Sequence, residues 1–356
     1  MKILEIYLWK TLLISILMTW LALVSLDSFF SYLGELGDTS PQTHYGSLQA
    51  LVYIIYLIPS SLYNFFPMAT LIGALMGLGQ LAASSEIIAM RAAGVSIRNI
   101  MWSTLKLGII ITLLIFAFGE WVTPKTELRA KSFKLEKKDE GPAYTHGGVW
   151  AKEGNHFVHI RNTWSTEKVE GVSIFTFDMK KAKLKKILQA KRAEKHNGSW
   201  DLYDITIKNF HDNDEIEIKY VDHIQQPFLI SEHFMQVTAV EPSHLSINKL
   251  SNYIKHQSHN DLNTTRLEQI YWQRFSLPLS TLVMLIIAMP FAFGSQRNAG
   301  AGQRLFVGIL IGIVFILINQ AVSSMGLVYG FSPIFSTFSP LLLFLTIGLV
   351  MLKRVR

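Results

Sequence analysis

ATLIGALMGLGQLAASSEIIAMRAAGVSIRNIMWSTLKLGIIITLLIF, residues 69–116, decides how the rest of the chain is read. Its two flanks are apolar and uninterrupted, apart from Lys106. Its middle, SSEIIAMRAAGVSIRN, concentrates Glu86, Arg91 and Arg98 among alanines and a glycine. Two apolar helices around a short charged connection make a membrane hairpin, because each run is long enough to cross a hydrocarbon layer of about 30 Å. Composition agrees. Of 356 residues, 50% are hydrophobic and only 17% charged, and the mean hydropathy is positive, a profile of integral membrane proteins.

Working outward, spans are expected near 8–33, 49–80, 98–122, 270–293, 305–328 and 334–352. The first has the length of an uncleaved anchor and lacks the small-x-small site of a secretory signal. The second is overlong and expected to break at Pro59 and Pro67. Lys2, Lys10, Arg91, Arg98, Arg297, Arg304, Lys353, Arg354 and Arg356 all fall on one side of this arrangement. The opposite short loops, SYLGELGDTSPQTHYGS and VYGFSP, hold neither Lys nor Arg. The positive-inside rule therefore puts both termini and the 84–94 segment in the cytoplasm of a multi-pass protein. The net charge of +7 is a topology signal here; no basic stripe interleaved with aromatics suggests nucleic acid.

Between the third and fourth spans, residues 123–269 carry 22 of the 33 basic and 20 of the 26 acidic residues, and every histidine except His44. This insert is long enough for a domain with its own core, giving blocks of 1–122, 123–269 and 270–356. Its period is two. YDITIK (203–208) sends Tyr203, Ile205 and Ile207 to one face, and EIEIKY (215–220) alternates likewise. Asn197-Gly198 and HDND (211–214) are hairpin turns, and VWAKEGNHFVHI and GVSIFTFD add strands. The expected fold is an α-helical membrane protein of six transmembrane helices, with an all-β sandwich, open barrel or jellyroll inserted on the side opposite the cytoplasm. TELRAKSFKLEKKDE (126–140) leads in as a charged connector, and a polar helical stretch leads out.

Nothing in the insert spells an enzyme. His156 and His159 point to opposite faces of a strand, and His256 and His259 lack a third ligand, so no metal or cofactor is expected. No G-x-S-x-G, H-E-x-x-H or cysteine nucleophile occurs. No G-x-x-x-x-G-K-[ST] occurs either, so energy for any work must come from a separate ATPase. Such a partner would grip the 84–94 segment. Ser84 or Ser85 caps a helix of about 14 Å, Gly94 closes it, and Ile87, Met90 and Arg91 share a face beside Glu86.

FFPMATLIGALMGLGQLAASSEIIAMRAAGVS (65–96), FGEWVTP (118–124) and GGVWAKEGNHFVHI (147–160) closely resemble the LptF/LptG family, the permease subunits of the lipopolysaccharide-export ABC transporter. GEWV and W-A-K-E-G-N-x-F-V are nearer the LptG branch. The resemblance covers nearly the whole chain. It implies a heterodimer with LptF on a dimer of the ATPase LptB, and extraction of lipopolysaccharide from the inner membrane. It further implies a periplasmic β-jellyroll aligned with LptC and, through it, LptA. The 84–94 helix would be the coupling helix, with Glu86, Ile87, Met90, Arg91 and Gly94 transmitting force.

A cargo with phosphorylated head and several acyl chains asks for an apolar cavity with cations at its rim. Leu26, Phe29, Phe30 and Leu33 on the first span, with Phe65 and Phe66 on the second, are expected to line it beside the fifth span. Arg129, Lys131 and Lys134 after the third span, and Arg274 near the start of the fourth, are the expected head-group cations. The loop after the first span holds Glu35 and Asp38 where relatives often carry lysines. Asp27 and Glu120 are the acids nearest the membrane interior. The competing function is an ATPase-coupled mechanotransmitting scaffold that moves no lipid itself.

Overall fold

The computed structural model describes residues 2–39, 44–137, 149–153, 155–165, 168–178, 183–196, 199–210, 215–226, 242, 245–260, 262–293 and 300–354. Helices α1 (Lys2–Leu36), α2 (Ser47–Ala83), α3 (Glu86–Ala92), α4 (Ile97–Trp121) and α5 (Thr123–Lys137) come first. Strands β1 (Val149–Glu153), β2 (His156–Ser165), β3 (Lys168–Asp178), β4 (Lys183–His196), β5 (Ser199–Phe210) and β6 (Ile216–Gln226) follow. Helices α6 (Ile247–His259), α7 (Thr265–Phe293), α8 (Ala301–Tyr329) and α9 (Pro333–Arg354) complete the chain. Six stretches are long and apolar enough to cross a membrane among the described residues: α1, α2, α4 running on into α5, α7, α8 and α9. The fold is therefore that of a helical membrane protein with a β-sheet inserted between its third and fourth spans. The charged connector after the third span is itself helical, as α5. Two compact units are formed, one of Met1–Asp38, Ile54–Glu127 and Thr265–Arg356, the other of Thr39–Tyr53 and Leu128–Thr264.

In the helical unit, small residues set the spacing. A Cβ on Gly73 would overlap the backbone of Ile16, so α1 and α2 touch main chain to main chain there. Gly308 and Gly312, one turn apart, let α8 lie on Ile72 and Met68 of α2. The expected break in α2 does not occur: the helix passes through Pro59 and Pro67. Between the two prolines the Trp20 indole of α1 donates to the Leu62 carbonyl at 2.7 Å. In α7 a side chain from another helix answers a proline directly. Pro278 leaves the Arg274 carbonyl without its amide four residues on, and the Tyr63 hydroxyl donates to it at 3.4 Å. Asp27 accepts from Ser61 at 2.6 Å, and Glu127, buried, accepts from Ser60. Both acids near α2 thus have hydroxyl partners on that helix.

The strands pair in sequence order, β1 to β6, as one antiparallel sheet among the described residues. The proposed turn residues 197–198 and 211–214 lie outside the described ones, but the strands around them pair as hairpins, His196 with Ser199 and Phe210 with Ile216. One row is irregular. The registers on either side align Arg161, Gly171, Lys191, Asp204 and Asp222 across β2 to β6, and no pairing joins them. Gly171 and Asp204 have φ of 66° and 53°. At this row the buried positions slip by one: Val169 then Val172, Ala190 then Ala193, Leu202 then Ile205. Strand faces alternate with period two, so left-handed Gly171 and Asp204 turn β3 and β5 and keep both halves on one core, and β4 between them slips in step. The sequence-based face for YDITIK is corrected accordingly. Ile205 and Ile207 are buried, but Tyr203 lies across the slip and stacks on Arg192 at 4.8 Å; Leu202 and Trp200 take the core. The outer half of β6 is exposed on both faces, Ile216, Ile218 and Tyr220 included.

Candidate functional site

The connection from α2 to α4 is built from local hydrogen bonds. After Ala83 the chain turns through Ser84 and Ser85, with Ser85 at φ 60°. Neither serine caps α3 through its side chain, contrary to the expectation from sequence. Left-handed Ser85 cannot aim its hydroxyl at the first amides, and the Ser84 hydroxyl donates instead to the Glu86 carboxylate at 2.8 Å. Glu86 also meets the Tyr7 hydroxyl of α1. That carboxylate thereby joins three pieces of chain and sits at the positive end of α3, where a negative charge is favoured.

The far end of α3 closes as the glycine predicts. Gly94 has φ 84°, its amide donates to the Arg91 carbonyl and the Val95 amide to the Met90 carbonyl, each at 3.0 Å. This is the Schellman pattern, completed by apolar Val95 and Met90 on one small cavity of 140 Å³. Leu4, Leu8 and Ile100 share that cavity, and a Lys106–Glu5 ion pair at 3.0 Å stands at its wall. Ser96 then caps α4, accepting from the Asn99 amide at 3.3 Å.

The two faces of α3 differ sharply. Ile87 and Met90 are buried in the chain's own core with Leu8, Leu12, Leu78 and Leu81, so they anchor the helix and do not face outward. Exposed are Ile88, Ala89, Arg91, Ala92 and Gly94, of which Ile88, Arg91 and Ala92 lie at helical spacing on one side. Of the five residues singled out from sequence, Arg91 and Gly94 are thus outward, Glu86 is half-buried, and Ile87 and Met90 are inward. Ile88 was missed. Adjacent isoleucines in a seven-residue helix satisfy two apolar faces equally well, and packing chooses between them.

The expected lipid-facing residues separate. Leu26, Phe29, Phe30 and Leu33 form one exposed stripe along α1, with the Phe29 and Phe30 rings 5.7 Å apart edge to face. Phe65 borders an internal cavity, and Phe66 is buried edge-on to Trp20 at 4.8 Å. Phe66 is a core residue. Of the expected cations, Arg129 is exposed on α5, Lys131 is half-buried, and Lys134 lies over the Tyr53 and Tyr45 rings at 5.0 and 5.8 Å. Arg274 is buried within the helical unit. The histidine pairs go to local contacts: His156 hydrogen-bonds Thr176 at 3.0 Å, and His256 meets Asn260 at 3.3 Å.

Known proteins match this sequence over nearly its whole length. The chain is 32% identical over 355 residues to the lipopolysaccharide export system permease protein LptG of Escherichia coli strain K12, covering 99% of this chain and 98% of that one. It is 31% identical over 356 residues to the LptG of Haemophilus influenzae, covering 99% of each. The profile of the lipopolysaccharide export system permease LptF/LptG family matches residues 6–354. With a match over nearly its whole length, and with six apolar helices around an inserted β-sheet, the chain belongs to the LptF/LptG family of lipopolysaccharide export permeases.

Proposed function

We propose that this chain is the LptG-type half of a heterodimer with an LptF partner. An LptB-type ATPase dimer drives it to lift lipopolysaccharide out of the inner membrane. The β-domain, on the periplasmic side, hands the lipid to an LptC and LptA bridge. The chain itself supplies no ATPase site. The observation that carries the ATPase coupling is the division of α3 into a buried anchor, Ile87 and Met90, and an exposed face, Ile88, Arg91 and Ala92. A helix fixed to the core on one side and bare on the other passes a push from a docked partner into α1 and α2 without flexing. Small Ala89, Ala92 and Ala93 let a partner approach closely, while Arg91 supplies one charge for a specific pair. Glu86, tied to Tyr7 and Ser84, acts as a positioning residue for that face. The exposed α1 stripe of Leu26, Phe29, Phe30 and Leu33 is the surface for acyl chains, and Arg129 with Lys131 the cations for phosphate.

The test is Ile88→Glu with Arg91→Glu in the co-expressed complex. Expression and heterodimer formation should stay normal, because both side chains are exposed. The ATPase should dissociate on purification, or its lipid-stimulated turnover should fall at least tenfold, the loss of about one hot-spot residue. Full export from proteoliposomes by the double variant would overturn the assignment.

A further inference from the structure

Within the helical unit a cavity of 340 Å³ lies among α2, α7, α8 and α9. α8 reaches α2 through Gly308 and Gly312 and reaches Ser336 of α9 through Gly326. Between these contacts the cavity is bounded by α8 on one wall and α7 on another. Its volume is within the range of small-molecule sites, and equal to about ten waters. α8 is the least buried of the described spans and the opening lies where it stands against the other three, so what fills it needs an answer.

The lining supplies one. Asn64, Gln273, Ser276, Asn319 and Thr337 bring amide and hydroxyl groups from all four helices to the same space. Thr337 is 1% exposed, and its hydroxyl finds no hydrogen-bond partner among the described residues. A helical threonine ordinarily bonds back to the carbonyl four residues earlier. Here that acceptor, on Pro333, already receives the Ser336 hydroxyl at 3.1 Å. The Thr337 hydroxyl is left unpaired in the cavity wall. The remaining wall is apolar, with Phe65, Met68, Met284, Phe315 and Leu341. Among the lining residues none is Asp, Glu, Lys, Arg or His.

This combination selects its occupant by exclusion. A phosphate or carboxylate head would lose its hydration with no opposite charge to replace it. A plain hydrocarbon would leave the Thr337 hydroxyl unanswered and strip water from the amides of Asn64, Gln273 and Asn319. Water alone would wet an aromatic and methionine wall. We propose that the cavity is a binding site for a neutral amphiphile. A hydroxyl or carbonyl head meets Thr337 and the amides, and an alkyl body lies against Phe65, Met68 and Phe315. The site is separate from the α1 stripe assigned to cargo and does not depend on that assignment.

The chain has no cysteine and its full length can be photolabelled in lipid nanodiscs with a diazirine-bearing octanol. Label should concentrate in peptides holding residues 64–68 and 312–319, and excess 1-octanol should protect them. Octane and octanoate, matched in chain length, should not. Thr337→Val keeps the shape and removes the hydroxyl, so site labelling should fall about fivefold, the worth of one neutral hydrogen bond. Thr337→Ser should restore it. Ser276→Phe should block the space, and if that variant fails to fold the valine and serine pair still decides. Equal protection by octane, or labelling indifferent to Thr337→Val, would make the space a non-selective apolar slot and overturn the proposal. Protection by octanoate would show that a charged head is tolerated and overturn it as well.

Discussion

Gly94 illustrates how a single backbone angle holds the candidate site together. A Cβ placed there meets nothing within 4 Å, so space is no obstacle; only φ 84° is. Gly94→Ala should therefore cost about 1 kcal/mol through the left-handed conformation alone, and Gly94→Val more because of its branched side chain. The expected sign is faster hydrogen exchange of the Glu86–Ala92 amides with unchanged exchange in α2. Equal protection in wild type and Gly94→Val would mean that the Schellman closure does not hold α3. Charge at the cations of α5 is separable in the same way. Lys134 is committed to Tyr45 and Tyr53, so replacing it tests packing as much as lipid. Arg129, exposed, tests lipid cleanly. Arg129→Glu should weaken photo-crosslinking of lipopolysaccharide to the assembled complex, and unchanged crosslinking would return this arginine to the solvated surface.

At the scale of elements, the row through Gly171 and Asp204 decides the shape of the sheet. A Cβ on Gly171 would come to 2.7 Å of the Arg161 Cβ, and φ 66° is unfavourable for any branched residue. Gly171→Val should destabilise the β-domain by about 2 kcal/mol or more, combining the left-handed cost with the clash. Asp204 has the same geometry without the crowding that a glycine position implies. Asp204→Gly should be neutral or slightly stabilising, whereas Asp204→Val should cost about 1–2 kcal/mol. Hydrogen exchange of the β4 and β5 amides in the full-length protein reads all three. If Asp204→Gly proves as damaging as Asp204→Val, the left-handed angle is not what the row requires. The helices follow a parallel logic, in which Gly73 and Gly308 set how near two axes come and Pro278 is tolerated because the Tyr63 hydroxyl of an adjacent helix satisfies the carbonyl it frees.

For the whole molecule, the charge distribution makes a topological prediction. With Arg91, Arg98 and Arg304 on one side, the loops at Asp38 and Gly330 should open to the periplasm. The absence of native cysteine gives an unobstructed background. Asp38→Cys and Gly330→Cys should react with an impermeant maleimide added to cells whose outer membrane has been permeabilised, and Ser96→Cys should react only after the inner membrane is opened. Labelling of Ser96→Cys from outside would invert the proposed orientation and with it the placement of the β-domain. Arg297 and Arg356, which also enter the charge count, lie outside the described residues.

Hydropathy and period alone located six spans to within a few residues and recognised the strands of the insert, because burial in lipid and alternation in a sheet are properties of consecutive residues. The Gly94 stop was legible for the same reason: a local conformation needs a local residue. The tertiary structure decided what depends on partners distant in sequence. It turned Ile87 and Met90 inward and Ile88 outward, since Leu8 and Leu12 of α1 fill one side of α3. It carried α2 through two prolines without a break, and supplied the carbonyl freed by Pro278 in α7 with the Tyr63 hydroxyl from α2. It moved Tyr203 off the core face, since a left-handed aspartate shifts the phase of a strand whose letters alternate without a break. Alternation in a sequence assumes a uniform backbone, and a single positive φ is enough to change which face each later residue occupies.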